Sequence, residues 1–515
     1  MPLSVSAGVT CDTREATLSY SMSSHGDEDQ DPEKGQPSHS SCTDTDATCL
    51  EIITVTVGAT VPTGFELTAA EEVKEKIGVD ARVSKDRGRI YFPITTDKLF
   101  QVHLLRSVDN LFVVVEEYDH YQFKQSKEEA LMDFQQLASK LPWTNALEVW
   151  KLNGTLKKKK GHRKGGNGSK MKPNIEAHHA TEADTEQQEL TEAVDASEGQ
   201  TKAESTPGLE DCEQTSEELA SGAKPIKFRV TCNRAGDKHS FSSNEAARDF
   251  GGAVQEFFQW KADMTKFDIE VLLNIHNEEV VIGIALTEES LHRRNISHFG
   301  PTTLRSTLCY GMLRLCKPQA SDIILDPMCG TGAIPLEGAI EFNSSFYIAG
   351  DNNDMAVNRT VNNICHIQKR RADKGSAPCL PIDTVRWDLC SLPMRTSSVD
   401  IIITDMPFGK RMGSRKKNWD LYPSCLREMA RVCRPGTGKA VLLTQDKKCF
   451  AKAISRMGGL WRKLHTVWVN VGGLHAGVYL LKRTGAVFGQ TPEDVHESRG
   501  ALNEQANEKE DKELS

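Results

Sequence analysis

From Leu50 onward the chain alternates short apolar runs with stretches of helical spacing. Ile52 to Val57 is rich in β-branched residues and closes at Gly58. Glu66 to Lys76 repeats its apolar positions at helical intervals, and Arg89 to Phe92 reads as a second strand. Thr96 to Leu105 has helical character, Leu111 to Val115 is a third apolar run, and Glu128 to Leu141 is a further helix. Elements of this length predict a small α+β domain. Order resumes at Ile226 to Thr231, with a helix over Ser243 to Trp260 and strands over Ile269 to Ile275 and Val280 to Leu286. This set is too small to stand alone and is expected to complete a second α+β unit with residues from before the gap. Phe250, Phe257 and Phe258 fall at helical spacing, which predicts core positions.

The rhythm changes again from Pro301 to Arg483. Ile323 to Leu325, Phe346 to Ala349, Ile401 to Ile403 and Ala440 to Leu443 are short apolar strands separated by helical stretches. Each strand returning through a helix predicts an α/β, Rossmann-like doubly wound sheet of parallel strands. Three segments break the pattern. Residues 1–49 are rich in Ser, Thr, Asp and Glu without a period. Residues 153–223 open with Lys157 to Lys160 and then turn acidic, with no aromatic residue. Residues 485–515 are polar. None can bury enough apolar surface to offset chain entropy, so all three are expected to be disordered. The ordered segments are then 50–152, 224–290 and 291–484.

Composition refines this picture. Aromatic residues make up only 6% of the 515 residues, consistent with a disordered fraction beside ordinary domains. No apolar run is long enough to span a bilayer, and the N-terminus lacks a basic start followed by an apolar core. A cytoplasmic protein is expected, with some nuclear presence allowed. The 14 cysteines are scattered without a C-x-x-C pair, which argues against a bound metal and a disulfide framework. The formal net charge of −9 on its own opposes a nucleic-acid partner, but the acid is concentrated in the tails and the central segment.

Chemistry gathers in the last block. In an open parallel sheet, ligands sit at the carboxyl ends of the strands. The first strand ends at Asp326, and its loop carries Gly330 and Gly332 before a helix from about Ile334. Such a loop lets backbone approach a nucleoside ligand, although a bare G-x-G is common in strand-to-helix turns. The second strand ends in Gly350-Asp351, where a carboxylate can accept both ribose hydroxyls; for the helix cap that follows, Asp354 is the better candidate. Asp388 is placed to take an adenine amino group. The fourth strand ends in Asp405-Met406-Pro407-Phe408-Gly409. An exocyclic amine is a poor nucleophile because its lone pair is delocalised into the base. A carboxylate and a backbone carbonyl can accept its hydrogens and orient that lone pair, while Phe408 offers a stacking face for an extruded base. The parts therefore fit amine methylation from an activated donor. A dinucleotide oxidoreductase would need glycine where Pro335 stands. A carbon-directed methyltransferase would need a cysteine beside the target, and none lies between Asp400 and Asp420.

The segments Asp326 to Gly332 and Asp405 to Gly409 resemble class I methyltransferases with the Asp/Asn-Pro-Pro-Tyr/Phe motif. With the preceding α+β segments, the chain resembles the THUMP-containing tRNA guanosine-N2-methyltransferases over roughly Leu50 to Arg483. The resemblance implies a ferredoxin-like domain and the start of a THUMP domain over 50–152, the rest of the THUMP domain over 224–290, and the methyltransferase over 291–484. It implies tRNA as substrate, N2-methylation of guanosine six in the acceptor stem, and a small zinc-binding activator subunit as partner. Carried over by position, Asp405, Met406, Pro407 and Phe408 would hold the guanine amino group. Asp326, Gly330, Gly332, Asp351 and Asp388 would bind S-adenosylmethionine, and Gly300 to Arg314 would form a helix covering it. Met406 departs from the commoner proline, which bears on pocket shape.

Lys410, Arg411, Arg415, Lys416 and Lys417 follow the motif directly, where cations at a pocket mouth would hold tRNA phosphates. The alternative function is a catalytically silent THUMP-type RNA-binding module that kept the fold.

Overall fold

The computed structural model describes residues 52–84, 87–162, 224–236, 239–409 and 414–489, with side chains omitted over 157–162. Residues 1–49, most of 153–223 and most of 485–515, all expected to be disordered, lie outside the described residues. No helix among those described is long and apolar enough to cross a membrane.

The first half forms one sheet from two distant parts of the chain. Strands β1 (Thr54–Thr60), β2 (Arg82–Ser84), β3 (Arg89–Thr95) and β4 (Asn110–Tyr118) come before the undescribed segment. Strands β5 (Lys227–Ala235), β6 (Lys261–Ala262), β7 (Ile269–His276) and β8 (Glu279–Ala285) come after it. Their order is β2-β3-β1-β4-β8-β7-β5-β6. The two parts join where β4 pairs antiparallel with β8, Phe112 opposite Ala285. Each part alone would leave an unpaired edge at that seam, so the two predicted α+β units become one continuous sheet. Alternation builds the core: Val55, Val57 and Ala59 of β1 point to the same buried face. Helices α1 (Glu66–Ile77), the single turn α2 (Leu99–Val102), α3 (Lys127–Leu137), α4 (Trp143–His162) and α5 (Ser243–Phe258) accompany this sheet. Phe134 and Phe250 share the buried core with the β1 valines.

Two expectations fail here. The break expected at Asn153 falls inside α4, which runs on to His162. Trp143, Ala146, Val149 and Asn153 are buried at helical spacing, and Asn153 donates to the Leu286 carbonyl at 2.9 Å. Gly154 and the lysine run disguised that periodicity. Phe257 is not a core residue: it is 48% exposed, whereas Phe250 is fully buried and Phe258 stacks on Trp260 at 4.2 Å.

The second half opens with α6 (Ser306–Cys316) and builds a seven-stranded sheet. Strands β9 (Ile323–Asp326), β10 (Phe346–Asp351), β11 (Ile382–Arg386), β12 (Ile401–Asp405) and β13 (Lys439–Thr444) are parallel. Strands β14 (Trp461–Val471) and β15 (Leu474–Arg483) form an antiparallel hairpin against β13, so the sheet is mixed rather than wholly parallel. The hairpin shields an edge of β13 that would otherwise be open. The order is β11-β10-β9-β12-β13-β15-β14. Helices α6, α7 (Ala333–Glu341) and α8 (Asp354–Ala372) contribute to the core on one face. Helices α9 (Arg415–Val432) and α10 (Lys447–Arg456) contribute to the core on the other. The chain leaves β9 toward β10 on one side and returns to β12 on the other. The β9/β12 boundary is therefore the topological switch point, where an open α/β sheet holds its ligand.

Candidate active site

A cavity of about 780 Å³ opens at that switch point. The carboxyl ends of β9, β10 and β12 bring Asp326, Asp351 and Asp405 to its wall, with Asp388, Gly330, Met406, Pro407 and Phe408. This size suits a nucleoside-sized ligand with room for a second group.

Asp326 is almost fully buried and accepts hydrogen bonds from the Thr404 hydroxyl at 2.7 Å and the Met328 amide at 3.2 Å. Burial pushes its carboxyl up to about 7 despite those bonds. Asp405 is pushed further, to about 8, first by burial and then by the nearby Asp326. Its Oδ1 is sealed from solvent and has no hydrogen-bond partner among the described residues. A buried acceptor left unpaired costs roughly 1–3 kcal/mol, and Asp405 sits in the cavity wall, where the donor of a ligand can supply that bond.

The glycine loop is set by local geometry. Gly330 and Gly332 adopt φ of 58° and 76°, in the left-handed region that disfavours side chains. A Cβ on Gly330 would meet nothing within 4 Å, whereas one on Gly332 would lie 2.6 Å from Thr360 Cγ2. Gly330→Ala should thus cost about 1 kcal/mol of backbone strain. Gly332→Ala should cost about 2–4 kcal/mol, the strain plus overpacking. Chemical denaturation of the two variants checks this order; equal losses would mean that the Thr360 contact relaxes freely.

The acidic residue that ends β10 also has a structural role. Asp351 accepts from the Gly330 amide and the Asn353 amide, each at 3.0 Å, and so fixes the glycine loop. Asn353, not Asp354, caps α8 by accepting from the Met355 amide; Asp354 instead pairs with Arg386 at 2.9 Å. Asp388 is exposed at the cavity rim and accepts from the Cys390 amide. Gly300 to Arg305 lines the cavity as a loop, and the helix expected to begin at Gly300 starts only at Ser306. The Cys329 thiol is buried against the Thr360 hydroxyl, and burial raises it far above the usual thiol range, which suits a packing role.

Sequence reasoning missed the residues that hold these loops. Tyr422 and Asn418, both on α9, donate to the Pro407 carbonyl at 2.7 and 3.0 Å. The Met406 side chain is fully buried in the core that includes Tyr422, so the departure from proline is absorbed by packing. Asn363 accepts from the amides of Ser297 and His298 and donates to the Thr331 carbonyl, tying the two cavity loops together. The only sequence signal for these was a polar group on the buried stripe of a helix. Of the expected cationic residues, Arg415, Lys416 and Lys417 are exposed on the first turn of α9; Lys410 and Arg411 lie outside the described residues.

Comparison with known proteins agrees with this geometry. A model of the RMKL-like methyltransferase domain matches residues 293–477, and a THUMP domain model matches residues 212–285. A protein of Bos taurus named tRNA (guanine(6)-N(2))-methyltransferase THUMP3 is 64% identical over 456 residues, covering 85% of this chain and 90% of its own length. The chain belongs to the THUMP3 family of tRNA (guanine(6)-N(2))-methyltransferases. The same fold is seen in TrmN from Thermus thermophilus, with a TM-score of 0.57 and 22% identity over 83% of this chain and 99% of that one. SMU.472, solved in complex with SAH, matches with a TM-score of 0.51 and 14% identity over 85% of this chain and 99% of that one. In this THUMP3-family chain the sequence motifs and the cavity coincide: both lie at the carboxyl edge of the second sheet.

Proposed function

We propose that this chain transfers a methyl group from S-adenosylmethionine to N2 of guanosine six in the tRNA acceptor stem. The observation that carries the chemistry is the sealed, unpartnered Asp405 Oδ1 at the switch point. Membership of the family carries the choice of guanosine and tRNA.

S-adenosylmethionine supplies a methyl group already activated on a sulfonium, so the protein's task is placement. The residues present fit it. Gly330 offers open space and the acidic rim of Asp351 and Asp388 provides hydrogen-bond acceptors. The carboxylates also favour a cationic sulfonium. Asp405 and the Met406 carbonyl accept the two hydrogens of the guanine amine, which turns the nitrogen lone pair toward the methyl. Phe408 lies at the cavity wall as the stacking face for the extruded base. Asp405 would take the proton that the amine nitrogen releases as its new N–C bond replaces the C–S bond of the donor. An acceptor near 8 holds that proton readily at neutral pH. Arg415, Lys416 and Lys417 hold flanking phosphates. A small zinc-binding activator subunit is part of this reading, implied by the resemblance.

The test is methyl transfer from labelled cofactor to bulk tRNA, with and without the activator subunit, followed by mapping of the modified nucleoside. The expected product is N2-methylguanosine at position six. Retained tRNA binding with no transfer in either condition would leave only a silent RNA-binding module.

A further inference from the structure

Residues 410–485 contain 17 Lys and Arg against three Asp and Glu, in a chain whose formal net charge is −9. Part of this excess is internal: Arg431 pairs with Glu428, Arg434 with Asp400, and Arg483 is buried among carbonyls. Among the described residues, Lys447, Lys448 and Lys452 of α10 form no ion pair.

Topology puts these cations beside the cavity. Helices α9 and α10 begin just beyond the carboxyl ends of β12 and β13. Because β15 runs antiparallel to β13, the hairpin tip at Gly472 reaches the same edge, and Val471, Gly472 and Leu474 line the cavity. Two exposed indoles accompany the lysines. Lys447 Nζ lies 4.1 Å from the centre of the Trp468 ring, and Lys452 Nζ lies 5.2 Å from that of Trp419. Trp468 is 46% exposed and Trp419 42%. Trp468 also meets His475 edge-on at 5.8 Å, next to Leu474 of the cavity wall. Trp468 lies three residues before Val471, about 10 Å along β14. The opposite face of the hairpin reaches the first half of the chain, since Val467 shares a core with Phe65.

A lysine lying over a surface indole can simply cover apolar area. That accounts for one such pair. Two pairs bridged by one helix, at the cavity edge and in a strongly basic stretch of an acidic protein, call for a polyanion with flat groups. Alternating cations and exposed aromatics are how single nucleic-acid strands are held, phosphate to lysine and base to ring.

We propose that Trp419, the lysines of α10 and Trp468 form a ridge that seats the RNA strand flanking the extruded nucleotide. Lys447, Lys448 and Lys452 contact its phosphates, and the two indoles stack on neighbouring bases. This rests on the reading of the cavity as a site for an RNA base.

The full-length chain is assayed with transcribed tRNA and S-adenosylmethionine, comparing Trp468→Ala, Trp468→Phe and Lys447→Ala/Lys448→Ala with the unaltered protein. For Trp468→Ala the KM for tRNA should rise about tenfold, with kcat within about twofold and cofactor affinity unchanged, while Trp468→Phe keeps most of the affinity. The double lysine variant should reduce the slope of log affinity against log salt by about one for each phosphate that is no longer neutralised. A KM and salt slope equal to those of the unaltered protein would overturn the proposal. So would an effect confined to kcat or cofactor affinity, which would mean that the hairpin only shapes the cavity. If Trp468→Ala does not fold, the surface lysine variant decides alone. Should the unaltered protein leave tRNA unmethylated, the reading of the cavity fails instead, and filter binding of the same variants to tRNA still decides the ridge.

Discussion

Asp405→Ala should abolish methyl transfer, by at least about 10³-fold, while S-adenosylmethionine still binds. The size follows from two losses, an aligned acceptor in a water-excluded site and a proton acceptor. The neighbouring Asp351 and the glycine loop are untouched, since their hydrogen bonds do not involve Asp405. Calorimetric titration of the cofactor alongside a single-turnover assay separates the two effects. Transfer within tenfold of the unaltered enzyme would remove Asp405 from the reaction. Asp405→Asn sharpens the test, because the amide keeps an accepting oxygen but cannot take the proton. Asn should be less damaging than Ala, and it should also lose a pH dependence.

That pH dependence has a defined sign. Burial and Asp326 hold Asp405 protonated up to about 8, and burial holds Asp326 up to about 7. Only the ionised Asp405 accepts both an amine hydrogen and a proton. The kcat/KM for RNA should therefore rise with pH and level off above about 8, a limb that Asp405→Asn flattens. Stability runs the other way. In the unfolded chain these carboxyls ionise near about 4. Their folded values are raised, so their stabilising contribution is complete below that value and is lost as pH climbs through 7 to 8. The urea midpoint of the unliganded protein should thus fall more between pH 5 and 9 than that of Asp405→Asn.

The legible parts of the molecule were those in which local pattern and global position agree. Apolar runs ending in Asp326, Asp351 and Asp405 announced strand ends, and a parallel sheet sends all strand ends to one edge. What stayed hidden depended on distant pairing. The β14–β15 hairpin carries a turn signal in Gly472-Gly473, both with positive φ of 56° and 79°, suited to a tight two-residue turn. Its strands mix Trp, Lys, His and Arg on the exposed face, which blurred the alternation. Nothing local indicates that β4 and β8 pair across a segment of more than a hundred residues. Asn363, Asn418 and Tyr422 were illegible for a related reason. Each is a polar group on a buried helix face, and its partner is a loop carbonyl or amide that only the assembled fold supplies.

The largest loss of stability is expected where the two sheets meet. Arg106, from the loop between α2 and β4, donates to Glu337 of α7 at 2.6 Å and pairs with Glu341 at 2.6 Å. Burial would lower that guanidinium, yet the two carboxylates lift it above its ordinary value. Glu337 is fully buried and also receives the Asn295 amide, while Lys76 bridges Glu72 and Glu341. Arg294 adds donations to the carbonyls of Leu105, Arg106 and Val108. Arg106→Ala strands the Glu337 carboxylate in the interior, and breaking a buried pair in this way typically costs about 3–5 kcal/mol. The urea midpoint should drop accordingly, and the melting of the two halves, monitored by calorimetry, should separate into two transitions. Arg106→Met/Glu337→Leu removes both charges, and the pair should recover most of the loss, giving a large coupling energy in a double-mutant cycle. Additive losses would mean that the two side chains act independently. Because α7 starts at the glycine loop, the same lock fixes the glycine-loop side of the cavity to the first sheet. Arg106→Ala should consequently weaken S-adenosylmethionine binding although no atom of Arg106 lines the cavity.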